Sequence, residues 1–426
     1  MKKITVTISM ILVLCLTAGL VSANMEQNTL SNEITAQMGR QMPGGQWQGG
    51  RMGGMQGGMT GGAQNVSDTP GEIVFSSLEN TAAGLTADLN SAETIVMSSS
   101  NAQVEIDEAG TYIVTGSVSD GNITVKKGTD GVVLILQDLD LTSTKGAAVS
   151  VNKEASVQII ISGTVTLTDA ENAADEYSAD AETADAYDGA ALKVKADASV
   201  RLTGDGTLNI SGNAKNGIKA GDGSSLIIDS LTLNIAAVND AINSGYDLTI
   251  LSGALTIRVS DDALHADHIL TLGSEDGSGP AVNIMSCSEG LEAAVVNILG
   301  GDITVNSSDD AINAANKDGL YTDELTYSLN QLGGSVTVSS SGDGYDSNGN
   351  INLIGGSAMI TSRIGGGEAG VDYDGQYYIS DSFSLNNNSG ISGPDNFGGG
   401  MPGGQGGQGG FGGWGGQMPG GWGGRQ

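Results

Sequence analysis

The chain has 426 residues, a formal charge of -32, only 4% aromatic residues and 68 glycines. A charge of that sign excludes a nucleic-acid binder, whose partner's phosphates call for Lys and Arg. Carboxylates at this density make either a solvated surface or a cation site, and their positions decide which.

Residues 1–23 read as a secretory leader. Lys2 and Lys3 supply the basic start, Ile4 to Leu20 the apolar run, and Val21-Ser22-Ala23 the small-x-small cleavage site. The run falls short of the roughly 20 apolar residues that span a bilayer. No second long apolar run follows, so the mature chain is expected to be exported, extracellular or held at the cell surface, with no membrane span. Cleavage removes Cys15 and leaves Cys287 alone, read as a small buried hydrophobe with no disulfide partner.

Residues 24–71 form a Gly/Met/Gln-rich segment and residues 393–426 a Gly-rich tail, and the word MPGG recurs at 42–45, 401–404 and 418–421. Such compositions bury too little apolar surface to offset chain entropy and are expected to be disordered. They suit spacers, or weak adhesives that hold the chain to the cell wall through Trp47, Trp414 and Trp422.

Between them, residues 72–392 are predicted to be one all-β domain. The stretches IIDSLTLNIAAVNDAINS (227–244), TILSGALTIRVSDDALHA (249–266) and NILGGDITVNSSDDAINA (297–314) repeat one block. Each has an aliphatic pair, a Gly or Ser turn, an alternating strand, an acidic marker, a small residue, then Ile or Leu. The markers Asn216, Asp240, Asp262, Glu289, Asp310 and Asp343 are spaced by 24, 22, 27, 21 and 33 residues. A period near 22 with loop insertions is that of a β-solenoid with one coil per repeat. In-phase recurrence of the whole block favours it over a β-sandwich, which also has short strands at regular spacing. Residues 131–169 fit two or three further coils, and the acidic, Ala-rich stretch 170–187 reads as a loop.

Equivalent residues of a parallel solenoid stack about 4.8 Å apart. The markers Asp240, Asp262, Glu289, Asp310 and Asp343 then form one column, and Asp261 and Asp309 a neighbouring one. Two like charges at that spacing repel by about 1 kcal/mol in water and about 3.5 kcal/mol at an effective dielectric near 20. Few cations lie nearby in sequence, Lys215, Lys219 and Arg258 among them. Carboxylates with Asn oxygens, including Asn313, suit Ca2+ best. GDGYDSNGN (342–350) adds Asp346 close to Asp343 and Asn348. It lacks the spacing of an EF-hand loop.

The words NGIKA (216–220), DDALHA (261–266), DDAINA (309–314), GDGYDSNGNINLIGG (342–356) and AGVDYDGQYYIS (369–380) resemble the bacterial carbohydrate-binding-domain proteins, a cellulose- and pectin-binding family once classed as a domain of unknown function. The resemblance covers residues 72–392. It implies a right-handed parallel β-helix similar to family-9 polysaccharide lyases, with bound Ca2+ and a polysaccharide partner. By position it implies Asp309, Asp310, Asn313, Asp343, Asp346 and Asp372 as ligands. DDALHA departs from the commoner Asp-Asp-Gly-Ile pattern, and His265 stands where Lys is frequent.

Three functions remain open on sequence. The first is a non-catalytic glycan binder, with Tyr345, Tyr373, Tyr377 and Tyr378 offering ring faces to sugar. The second is a Ca2+-dependent uronate lyase, which needs a cation and a base; Lys219, just after a marker, is the candidate. The third is a structural surface protein that assembles through its tails.

Overall fold

The structure, a computed structural model, describes residues 66–170, 189–315, 325–364 and 367–394. The leader, nearly all of both glycine-rich segments and nearly all of the acidic insertion lie outside the described residues.

The described chain forms 31 strands and no helix, every inter-strand pairing between them parallel, wound as a solenoid of about 10 turns. One coil shows the pattern. Ser225–Ile228 lies on a first face, Thr232–Ala237 on a second and Ile242–Ser244 on a third. The next coil repeats it in register, with Leu226 beside Leu248, Leu233 beside Leu255 and Ile242 beside Leu264. Alternation sets the orientation: Leu233 and Ile235 are buried, while Thr232 is exposed and Asn234 half-buried between them. The inward residues merge into one continuous core from Met97 to Phe383. Each fully buried Leu or Ile there contributes about 1.5–3 kcal/mol.

Two recurrent features of the block follow from close stacking. The small residue after each marker sits against the core: Ala241, Ala263 and Ala311 are fully buried. At the equivalent Gly344 an added Cβ would strike Ile360 and the carbonyl of Gly370. The turn glycine separates faces one and two. Gly301 has φ 101° and Gly356 φ 89°, and a side chain at either would meet the backbone of the coil before it.

Residues 131–169, expected to hold two or three coils, make nearly two. Two earlier coils, built on Glu93–Met97, Gln103–Ile106, Gly110–Val118 and Asn122–Val125, carry no marker and are not evident as repeats.

The first face is closed from outside. Residues 66–88 start with a parallel bridge from Val66 to Tyr377 and then run across the coils, from the last ones back to the first. Ser67 N–H donates to Tyr377 O at 2.7 Å, Gly71 N–H to Asn352 Oδ1 at 2.8 Å, and Asn297 Nδ2 to Val74 O at 2.9 Å. Ser76 donates to Asp247. Asn80 Nδ2 then reaches Val200 O and Ser225 O, both at 3.1 Å, and Asp88 N–H reaches Thr111 Oγ1 at 3.0 Å. Beneath the strap the outward residues Asn297, Asn330 and Asn352 form a buried amide ladder, linked at 2.9 and 2.7 Å. Among the described residues no helix is long and apolar enough to cross a membrane.

Candidate functional site: an acidic edge along the third face

The marker residues fall at the corner where the second face turns into the third. Their backbones are laddered: Gly217 N–H donates to Asp240 O, Ala241 N–H to Asp262 O, Ala263 N–H to Glu289 O, and Ala311 N–H to Asp343 O. The predicted column therefore exists. Three residues after each marker, an outward side chain of the third face stands beside it. Strand register stacks these into a second column: Lys193, Lys219, Asn243, His265, Glu292, Asn313, Asp346 and Asp372. The two columns run side by side and make one edge.

The marker carboxylates have a structural task that sequence reasoning missed. Asn216 Oδ1 accepts the N–H of Asp240 at 3.3 Å, and Asp240 Oδ1 accepts that of Asp262 at 3.1 Å. Asp310 Oδ1 accepts the N–H of Asp343 at 2.6 Å, and Asp343 in turn accepts that of Ala369. At Asp240, Asp310 and Asp343 one carboxylate oxygen thus satisfies a backbone donor of the next coil. At Asp240 the other faces the second column, where Asn243 Nδ2 donates to Asp240 Oδ2 at 2.6 Å.

Charge is unevenly distributed along this edge. Toward the amino terminus, Lys219, Asn243 and His265 oppose the markers. Toward the carboxyl terminus, oxygen atoms of Asp310, Asp343 and Glu368 lie within 4.8 Å of one another, as do those of Asp343, Asp346 and Asp372. Among the described residues no Lys or Arg pairs with any of these five. Burial pushes Asp343 up to about 7, helped by the charges of Asp310, Asp372 and Glu368. Burial, then Asp310, Asp343 and Asp372, lifts Asp346 to about 7. Asp310 rises to about 6 and Glu289 to about 8, again mainly through burial.

Asn313 supplies an independent mark of a ligand. It is 8% exposed and sits between Glu292 and Asp346 in the second column. Its Nδ2 donates back to Glu289 Oε2 at 3.0 Å, which turns Oδ1 away from that coil. That oxygen is buried with no hydrogen-bond partner among the described residues. A buried carbonyl oxygen left unpaired costs about 1–3 kcal/mol. Carboxylates and an amide oxygen are the donor set of a hard divalent cation, and these residues fit Ca2+.

The other predicted positions divide. Asp240, Asp261 and Asp262 bring oxygens within 4.8 Å of one another, so the earlier coils also gather acids. Asp309 is exposed and joins no such group among the described residues. Glu292 and Glu368 were missed. Glu292 was signalled by its spacing, three residues after a marker like Asn313 and Asp346.

The tyrosine reading is corrected. Tyr345 is fully buried with its hydroxyl donating to Gln331 Oε1 at 2.7 Å, and Tyr373 and Tyr377 stack within the core at 5.4 Å between ring centroids. Tyr345 replaces Ile312 and Tyr377 replaces Ile351 in inward columns, so their rings serve packing and present no face to sugar. Tyr378 alone of the four points outward, half-buried beside Asn352. Lys219 lies on the edge, but Nζ donates to Asn243 Oδ1 at 2.5 Å. Asn243, His265, Glu292 and Asn313 separate it from Asp346, a distance of about 24 Å at one rung per 4.8 Å.

Fold and edge together define a parallel β-solenoid with one face strapped shut, one open polar face and an acidic edge that no Lys or Arg compensates, among the described residues, toward its carboxyl-terminal end. The chain belongs to the carbohydrate-binding domain-containing protein family, whose model matches residues 100–366, well over half of its length. Among solved structures it is similar to "Structure of the polysaccharide lyase-like protein from C. thermocellum, Gadolinium derivative". The identity is 20% and the TM-score 0.37, over 72% of this chain and 99% of that one. No curated protein matches.

Proposed function

We propose that this protein is exported and binds polysaccharide without cleaving it, with Ca2+ held by the acidic edge at Asp310, Asn313, Asp343, Asp346, Glu368 and Asp372. The unpartnered Asn313 oxygen beside a half-buried carboxylate cluster that no Lys or Arg pairs among the described residues supports the reading. Ca2+ accepts six to eight oxygen ligands, so the ion keeps positions for a uronate carboxylate. An acidic protein then holds an acidic glycan through a shared cation. Neutral glycans use the open second face, whose outward column Asn209, Asn234, Thr256, Asn283 and Thr304 offers amides and hydroxyls in register. The glycine-rich segments tether the solenoid to the wall.

A lyase would need its base beside the cation. Lys219 is four rungs from the nearest members of that cluster, Asp310 and Asn313, which favours binding over cleavage.

Affinity electrophoresis in gels containing polygalacturonate tests the proposal. Retardation with Ca2+, lost on chelation and in D343N/D346N, is expected. Retardation that ignores both would overturn it, and release of unsaturated uronide would restore the lyase.

A further inference from the structure

Toward the amino-terminal end of the edge, one rung carries nitrogen where the cluster above carries only oxygen. His265 Nδ1 lies 2.8 Å from Glu292 Oε2, its register neighbour on the next coil, and 3.3 Å from Asp262 Oδ2, the marker of its own coil. The other ring nitrogen, Nε2, lies 2.9 Å from Asp267 Oδ1. The side chains of Asp262, His265 and Glu292 are 14%, 15% and 11% exposed. This is more than an acidic cluster. One imidazole nitrogen is anchored by a carboxylate outside the group, which fixes the ring, and the proton that the other nitrogen shares with two carboxylates is the one a metal ion would replace. The other nitrogen is aimed at two carboxylates. Metal-binding histidines are held this way, with the far N–H donated to a carboxylate that makes the near nitrogen a better ligand.

We propose that Asp262, His265 and Glu292 form a second metal site, selective for a first-row transition ion such as Zn2+, with Asp267 as the positioning residue for the histidine. The three donor atoms lie within 4.8 Å of one another. An ion between them has one nitrogen and two oxygen ligands and an open position for water or a sugar oxygen, the pattern of three-ligand zinc sites. The imidazole nitrogen turns the site away from Ca2+, which prefers all-oxygen shells, and toward zinc and its neighbours. Three carboxylates surround a single ring, so a dication also lowers the local charge. Glu292 and Asp346 are two rungs apart in the same column, with Asn313 between them. One edge thus holds two cation sites of different chemistry.

The chain has only two histidines. His268 is buried, stacked on Tyr246 at 4.4 Å, and bonded through Nδ1 to Asp247 at 2.7 Å. It serves as the control. The experiment is calorimetric titration of metal-free full-length protein with Zn2+ in excess Ca2+, repeated with Co2+ to read its visible absorption. One tightly held ion per chain is expected, with affinity falling at least tenfold in H265N, and also in E292Q in case H265N misfolds. D346N and H268Q should keep it. Displacement of Zn2+ by Ca2+, full binding by both H265N and E292Q, or no binding by the wild type would each overturn the site. The last result would leave His265 as a fixed counter-charge.

Discussion

The N–H of Asp343 donates to Oδ1 of Asp310 across one turn of the solenoid at 2.6 Å. Asp262 makes the same bond to Asp240 at 3.1 Å, and Asp240 to Asn216 at 3.3 Å. The Asn216 case shows that an amide oxygen is enough for the backbone task. The negative charge of the acidic markers therefore answers a separate demand.

That separation is testable at Asp310. Asp310→Asn keeps the acceptor and removes one charge, so in chelator its stability should equal or exceed the wild type. Asp310→Ala leaves the Asp343 N–H without its partner and should cost about 1–3 kcal/mol. In Ca2+ both variants should lose part of the metal-dependent stabilisation. Urea melts with and without chelator measure all four states, and equal stability of Asn and Ala variants in chelator would refute the ladder role.

The acidic cluster also predicts how metal and pH interact. An unfolded Asp titrates near 3.9, whereas Asp343 and Asp346 are lifted to about 7 in the fold. Between about pH 4 and pH 7 the metal-free fold thus binds more protons than the unfolded chain, and its stability falls as pH rises through that window. On the proposed reading Ca2+ would bind the ionised form and offset the loss. The melting temperatures of Ca2+-loaded and chelated protein should nearly coincide at pH 5 and differ by several degrees at pH 8, at roughly 2–4 °C per kcal/mol. A gap that does not widen with pH would count against these carboxylates as the ligands.

Lys219→Ala should leave Ca2+-dependent retardation by polygalacturonate within twofold of wild type, because Lys219 meets Asn243 rather than the cluster. Loss of a uronide-releasing activity in this variant would place the chemistry at the wrong end of the edge for the binding reading.

The coil architecture was legible because the solenoid writes itself into sequence as a period. Ile242, Leu264, Leu291, Ile312 and Tyr345 occupy one inward column, and the spacing of the markers follows theirs. The same alignment held the correction for the tyrosines: Tyr345 in GDGYDS stands where Ile312 stands in DDAINA, an inward place. The strap was not legible. Beyond one bridge at Val66 it crosses the coils instead of adding a strand to them, so it has no period, and its partners lie far along the chain, as Asn80 does from Val200 and Ser225. Marker-to-backbone bonds were hidden for a related reason: an Asp that caps the next coil and an Asp that binds a cation are the same letter at the same spacing.

The strap and the amide ladder beneath it yield the last prediction. Asn330 is fully buried, donates to Asn297 Oδ1 at 2.9 Å and accepts from Asn352 Nδ2 at 2.7 Å. Asn352 Oδ1 in turn holds the strap at Gly71, and Asn297 Nδ2 holds it at Val74. Asn330→Ala leaves a buried acceptor on Asn297 and a buried donor on Asn352 unpaired, for a cost of about 2–5 kcal/mol. Part of that cost can be relieved by lifting the strap to admit water. Amides near Gly71 and Val74 should therefore exchange with solvent at least tenfold faster in Asn330→Ala, while amides near Asn80, held by other contacts, change little. Ser335→Ala, on the exposed second face, serves as the control and should fall within about 0.5 kcal/mol of wild type. Unchanged exchange at Gly71 and Val74 would mean that the strap is held by its other bonds and that the ladder stabilises the first face alone.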